Sequence, residues 1–203
     1  MDAFRYWLAV VLLCTIPMLC VYWPVVHGFI RFWRRAGPGV TYGVMLAGFA
    51  LGASGLFLAR GRLLGADFGT QWPLVTIGAA CLALAGWLHR ELYRDITNRF
   101  LVGMPELAPE RYPQPLVRSG LYARVRHPRY LQMAVALLGY ALVANYLSSY
   151  VLALLWLPGM YVTVLFEERE LRERYGAEYD EYCRKVPRLV PRLRRADVRR
   201  DPD

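Results

Sequence analysis

Two short runs of the chain hold the residue types that can do chemistry. The first is Arg118-Ser-Gly-Leu-Tyr-Ala-Arg-Val-Arg-His-Pro-Arg-Tyr130. Ser119-Gly120 reads as a turn, and Pro128 suits the first turn of a helix. A helix start offers backbone N–H groups and the positive end of a dipole. Flanked by Arg124, Arg126 and His127, it makes an anion site, with Tyr122 and Tyr130 as aromatic faces. A basic juxtamembrane loop held by lipid headgroups fits the composition equally. The second run is Glu167-Glu-Arg-Glu170, at the end of a long apolar stretch, where acidic residues need partners. If the helices bearing the two runs form a hairpin, their charged ends meet. They then either make a simple salt bridge, Glu167 or Glu168 to Arg126, or wall a pocket with cations on one side and carboxylates on the other. Such a pocket suits a ligand with a carboxylate, an ammonium, ribose hydroxyls and an aromatic base.

The elements that must position these runs follow from charge segregation. The 203 residues carry 25 Lys+Arg and 16 Asp+Glu, none of them in Tyr6–Ile30, Ala36–Ala59, Phe68–His89 or Tyr130–Phe166. A bilayer imposes segregation on this scale. A ~30 Å hydrocarbon core takes about 20 helical residues, so the first three stretches give one span each. The fourth is long enough for two, broken at Asn145–Ser149. The expected architecture is all-α: a polytopic membrane protein with five transmembrane helices, a C-terminal helical hairpin and a cytoplasmic amphipathic tail. It reads as one membrane domain: scaffold helices in 1–95, the loop, hairpin and tail in 96–193, and a flexible end in 194–203. Most basic residues fall on one side, which places the amino terminus outside and the tail in the cytoplasm. The basic excess is thus a topology signal, with the bilayer as partner and no nucleic acid. Lys185 is the only lysine against 24 arginines, a bias that suggests a GC-rich bacterial genome and an inner-membrane location.

The same pattern excludes a separate soluble catalytic domain, and no Gly-rich phosphate loop occurs. Tyr6–Ile30 reads as a retained span, with no small-x-small cleavage site after it. Cys14, Cys20, Cys81 and Cys183 lack metal or redox spacing and read as small apolar residues, so no metal is expected. Pro17 and Pro24 are expected to kink the first span, and Gly43, Gly48, Gly52 and Gly55 to let the second approach its neighbours. His27 reads as a packed histidine. Gly86 is either a helix contact or a place where a ligand lies against bare backbone.

From Gln114 to Leu193 the chain resembles the isoprenylcysteine carboxyl methyltransferase and phospholipid methyltransferase superfamily. Six elements carry the resemblance in order: Ser119-Gly-Leu-Tyr122, Arg126-His-Pro-Arg-Tyr130, an apolar hairpin, Glu167-Glu-Arg-Glu-Leu171, Tyr175-Gly-Ala-Glu-Tyr179 and Val186-Pro-Arg-Leu-Val-Pro191. The resemblance implies a transferase that uses S-adenosylmethionine, with Tyr122, His127, Pro128 and Tyr130 as donor contacts. It implies Glu167 and Glu168 as the acidic pair holding polar groups of the donor, Leu116 and Val117 near its adenine, and Gly86 beside it if the third span lines the pocket. Two departures bear on the acceptor. Gln132 stands where many members have Gly, and Tyr161–Phe166 lacks the Arg that carboxyl-methylating members carry before the acidic pair. The second departure favours an amine-bearing phospholipid, phosphatidylethanolamine or a methylated derivative. Arg118, Arg124 or Arg129 would hold its phosphate, and His127, Glu167 or Glu168 would take its proton. The alternatives are carboxyl methylation of the isoprenylcysteine type, an NADPH-dependent membrane reductase of related C-terminal architecture, and a lipid-binding protein without activity.

Overall fold

The computed structural model of the chain describes residues 1–95, 104–108, 110–112 and 115–191. The expected flexible end, 194–203, lies outside the described residues. Among those described, the structure is helical: α1 (Asp2–Gly28), α2 (Ile30–Ala36), α3 (Pro38–Leu63), α4 (Trp72–Asp95), α5 (Met104–Leu107), a 3₁₀ turn (Gly120–Ala123), α6 (Pro128–Ala144), α7 (Leu147–Tyr175) and α8 (Ala177–Lys185). Four helices, α1, α3, α4 and α7, are long and apolar enough to cross a membrane. The fourth apolar stretch does break in two. Its first half, α6, has 17 residues, or about 26 Å of helix.

The break is made by Asn145, the one described non-Gly residue with positive φ (φ 54°, ψ 44°). Asn tolerates this left-handed conformation better than other side-chain-bearing residues. Here its amide donates to the Gly69 carbonyl at 2.8 Å and accepts from the Tyr150 hydroxyl at 2.8 Å. The same end of the bundle is tied by Arg5, which is fully buried. Its Nε donates to the Ala144 carbonyl at 3.1 Å, and its Nη atoms reach Asp2, Thr70 and Asp67. One side chain thereby joins the start of α1, the α3–α4 loop and the α6–α7 turn.

Between the ends, α1 packs on α7 through Ala9, Val10, Leu12 and Leu13 against Trp156, Met160 and Val164. The tightest crossing is α4 on α6. A Cβ on Gly139 would stand 2.9 Å from the Gly78 carbonyl oxygen, and one on Gly78 2.8 Å from the Gly139 carbonyl oxygen. Bare backbone is what lets these helices meet. The glycines expected to serve this purpose in α3 do not: Gly43, Gly48 and Gly55 face open space, and only Gly52 meets a neighbour, the Met18 side chain. Helix α3 has a single buried residue, Thr41, because it sits at the margin of the bundle and contacts chiefly α1. The third span begins at Trp72. Asp67 to Thr70 are held in the knot around Arg5 and Asn145.

Replacing Arg5 by Leu strips hydrogen bonds from two carbonyls and two acidic partners. We expect a loss of about 1.5–3 kcal/mol of unfolding free energy, the range for bonds to charged groups. Asp67 is 39% exposed, so the ion pair itself adds little beyond this. Reversible unfolding in mixed micelles measures the loss, and an unchanged midpoint would show that the knot carries no stability.

Candidate functional site

At the opposite end of the bundle, α1, α6 and α7 enclose a cavity of about 110 Å³. Three chain segments supply its walls. Helix α1 gives Trp23 and His27. The stretch entering α6 gives Tyr122, Arg126, His127, Arg129, Tyr130 and Met133. The end of α7 gives Glu167, Glu170, Leu171, Arg174 and Tyr175. Pro128 opens α6 at its first turn with His127 as the preceding cap residue, so the positive helix end lies at the cavity wall.

The two adjacent glutamates do different things, because successive residues on a helix point about 100° apart. Glu168 turns away from the cavity and is 1% exposed. Its Oε1 accepts from Arg126 Nη2 at 2.8 Å and Arg188 Nε at 2.9 Å, and its Oε2 from Arg188 Nη2 at 2.7 Å. Arg126 Nη1 also donates to the carbonyls of Cys183 and Val186, each at 3.0 Å. The backbone N–H groups of Arg126 and His127 donate to the carbonyls of Pro187 and Arg188 at 2.8 and 3.0 Å. Glu168 is thus the hub that fastens the segment after α8 onto the loop before α6. The salt bridge weighed from the sequence is real for this residue. Gly176, at φ 53°, makes the bend that brings α8 back to this point.

Glu167 faces the cavity. It accepts the Tyr130 hydroxyl, and its two oxygens lie 3.5 Å from His127 Nδ1 and 3.5 Å from His27 Nε2. His127 is buried between the two glutamates, its Nε2 3.3 Å from Glu168 Oε1. Burial works against an imidazolium here, but the hydrogen bonds and charges of Glu167 and Glu168 outweigh it and raise the His127 pKa above its ordinary 6.5.

Of the residues singled out from the sequence, Tyr122, His127, Arg129, Tyr130 and Glu167 meet at the cavity. Pro128 is buried behind it and sets the helix start. Leu116 packs on Tyr179, Tyr182 and Val186, and Val117 on Leu92 and Tyr122, each a layer away. The structure does not bring Gly86 to the cavity. It is exposed, with nothing within 4 Å of where a Cβ would stand, because the inward face of α4 carries Ala85, Leu88 and Leu92. Arg118 pairs with Glu178, and Arg124 is exposed away from the cavity. Sequence reasoning missed Trp23, His27, Glu170, Arg174, Tyr175 and Arg188. The i, i+3 spacing of Glu167 and Glu170, extended by Arg174, was a readable sign that these three share a face.

A family model described as phospholipid methyltransferase matches residues 74–178. Methanethiol S-methyltransferase 2 of Bradyrhizobium diazoefficiens is 38% identical over 100 residues, 48% of this chain and 36% of that protein. Methanethiol S-methyltransferase 1 of the same organism is 31% identical over 138 residues, 59% of this chain and 43% of the relative. The protein-S-isoprenylcysteine O-methyltransferase of Schizosaccharomyces pombe is 34% identical over 77 residues, 37% of this chain and 33% of the relative. The chain therefore spans less than half the length of these curated relatives. No solved structure matches.

The raised His127 pKa fixes the sign of a pH effect. A group whose pKa rises on folding contributes its full stability below its unfolded value and loses it as pH climbs through the folded value. The difference in unfolding free energy between the wild type and His127→Gln should be constant below the ordinary histidine value of 6.5 and shrink above it. Denaturant titrations across the pH range check this, and a difference that grows with pH would contradict it.

Proposed function

We propose, from the premise that the chain belongs to the phospholipid methyltransferase family, that it transfers a methyl group from S-adenosylmethionine to a nucleophile borne by a membrane lipid. The observation that carries this reading is one cavity with walls of both signs. His127 and the start of α6 line it together with Glu167 and Glu170. The zwitterionic end of an amino-acid-bearing donor asks for that arrangement: its carboxylate to the cationic wall, its ammonium to a carboxylate. Tyr122 and Tyr130 add aromatic faces suited to an adenine or a sulfonium. When bound, the donor supplies an electrophilic methyl carbon on sulfur, so the chain's own task is to align the acceptor and exclude water.

The acceptor we propose is the amine of phosphatidylethanolamine or a methylated derivative. With Arg118 paired to Glu178 and Arg124 turned away, Arg129 at the cavity is the residue to hold the lipid phosphate. A carboxylate acceptor is served less well. Tyr161–Phe166 contains no cation, and Arg188, which reaches the Tyr161 hydroxyl at 3.0 Å, is hydrogen-bonded to Glu168. A thiol acceptor is a second reading, favoured by the names of the two Bradyrhizobium relatives. We further propose a five-span topology in which α6 crosses a locally thinned bilayer beside α7. The amino terminus is then outside, and the cavity opens toward the cytoplasm of a bacterial cell. Residues 1–95 supply most of the scaffold, and 96–193 most of the site.

Inverted and right-side-out membrane vesicles given methyl-labelled S-adenosylmethionine test donor, acceptor and orientation together. Label should enter mono-, di- or trimethylated phosphatidylethanolamine in inverted vesicles only. Label confined to added methanethiol would move the acceptor to the thiol reading. Label from right-side-out vesicles would reverse the topology, and none in either would overturn the activity.

A further inference from the structure

The cationic groups that line the cavity differ in what already holds them. Arg126 is bonded to Glu168, His127 lies between Glu167 and Glu168, and His27 meets Glu170. Arg174 lies over the Tyr175 ring, 5.9 Å from guanidinium carbon to centroid. Arg129 lines the cavity as the second residue of α6, and among the described residues no carboxylate pairs with it. The first turn of α6 contains no acidic residue. A cation at the positive end of a helix is repelled by the dipole, and here no side chain of the first turn offsets the repulsion. Residues that break a local rule in this way concentrate at functional sites. The compensation this one calls for is an anion.

Resting on the methyl-transfer reading above, we infer that Trp23 on α1 is a positioning residue, whose indole holds the Arg129 guanidinium at the cavity as the clamp for an oxyanion of the substrates. The guanidinium carbon lies over the Trp23 ring, 5.7 Å from its centroid, inside the roughly 6 Å reach of a cation–π contact. Trp23 is itself fixed by two neighbours. It stacks on His27, with centroids 5.6 Å and planes 26° apart, and meets Tyr22 edge-on with centroids 5.0 Å apart. His27 is in turn anchored by Glu170 at 2.7 Å. The series Glu170, His27, Trp23, Arg129 thus runs from α7 through α1 to α6, the three helices that enclose the cavity.

An indole suits this task better than a carboxylate. A carboxylate at position 23 would pair with Arg129, neutralise it and occupy its N–H donors. The π face attracts the cation through its quadrupole and leaves its charge intact. The guanidinium fork then remains available for the bidentate pairing by which Arg grips a phosphate or a carboxylate. Without the ring, the Arg129 side chain keeps its charge but loses its fixed orientation, and binding carries the cost of ordering it. The lipid phosphate and the donor carboxylate are the two oxyanions that the reaction brings to the cavity, and the same fork suits both. Helix α1 is on this account part of the binding site as well as of the scaffold.

A double-mutant cycle read by binding tests this independently of turnover. Calorimetry on the full chain in detergent measures affinity for short-chain phosphatidylethanolamine and for S-adenosylhomocysteine. The proteins are the wild type, Trp23→Leu, Trp23→Phe, Arg129→Gln and the variant carrying both Trp23→Leu and Arg129→Gln. Arg129→Gln should weaken the lipid by about 10–100-fold, the scale of a bond to a charged group. Trp23→Leu should weaken it by about 2–30-fold, the scale of a cation–π contact, and Trp23→Phe by less. In the double variant, Trp23→Leu should add nothing to the loss from Arg129→Gln, a coupling that a packing role for the indole would not produce. The same pattern seen with S-adenosylhomocysteine instead of the lipid would support the clamp and make the donor carboxylate its oxyanion. Additive losses, unchanged affinity for both ligands in Trp23→Leu or in Arg129→Gln, or a wild type that binds neither ligand would overturn the inference. If Trp23→Leu fails to fold, Trp23→Phe takes its place in the cycle. A wild type that shows the coupling yet transfers no methyl group would overturn the methyl-transfer reading and leave the clamp standing.

Discussion

The structure depends on one buried carboxylate. Glu168, 1% exposed, takes hydrogen bonds from Arg126 before α6 and from Arg188 after α8. Such pairs give little net stability over an apolar core, yet breaking one strands a charge at a cost of about 3–5 kcal/mol. Their value here is positional. The bonds fix how the chain after α7 folds back, and the two backbone bonds from Arg126 and His127 to Pro187 and Arg188 follow from that register. With the loop so held, α6 begins where its positive end and His127 face the cavity. With Glu168 turned toward the arginines, the helical offset leaves Glu167 facing the other way, into the site.

The far end of the bundle is organised by the same logic with the signs reversed. There a buried cation, Arg5, gathers carbonyls and carboxylates from three segments. The hairpin α6–α7 is therefore clamped at both ends, with the Gly78–Gly139 crossing holding α4 against its middle. A cavity that carries charged groups of both signs needs this kind of support. Glu167 lies 3.5 Å from both His27 and His127, and Glu170 lies 2.7 Å from His27.

Much of this was readable from residues alone, for identifiable reasons. Charge segregation is a one-dimensional signal, so the helices and the break near Asn145 could be located. The meeting of Arg126-His127 with the acidic run followed from hairpin geometry. Azimuth was harder to read. Glu167 and Glu168 are neighbours in sequence, and only the rotation of α7 tells which one faces the cavity. The α3 glycines misled because a small-residue stripe signals close packing only where a partner helix exists, and α3 lies at the margin. His27 is a lone histidine in an apolar span. Nothing near it in sequence reveals that Glu170, 143 residues on, holds its Nδ1. Arg188 was likewise invisible as a partner of Glu168, because the bend at Gly176 must be known before the two can be paired.

We propose that the adjacent glutamates divide the labour, Glu168 holding the fold and Glu167 holding the donor. Calorimetric titration of S-adenosylhomocysteine into Glu167→Gln and Glu168→Gln, with the unfolding midpoint of each, tests it directly. Glu167→Gln should weaken binding by about tenfold or more, the scale of a lost bond to a charged group, with the smaller change in midpoint. Glu168→Gln should lose about 3–5 kcal/mol of stability, the cost of stranding a buried partner charge, while the fraction that remains folded binds with little change. The reverse pattern, with binding lost in Glu168→Gln at unchanged stability and Glu167→Gln binding normally, would contradict it.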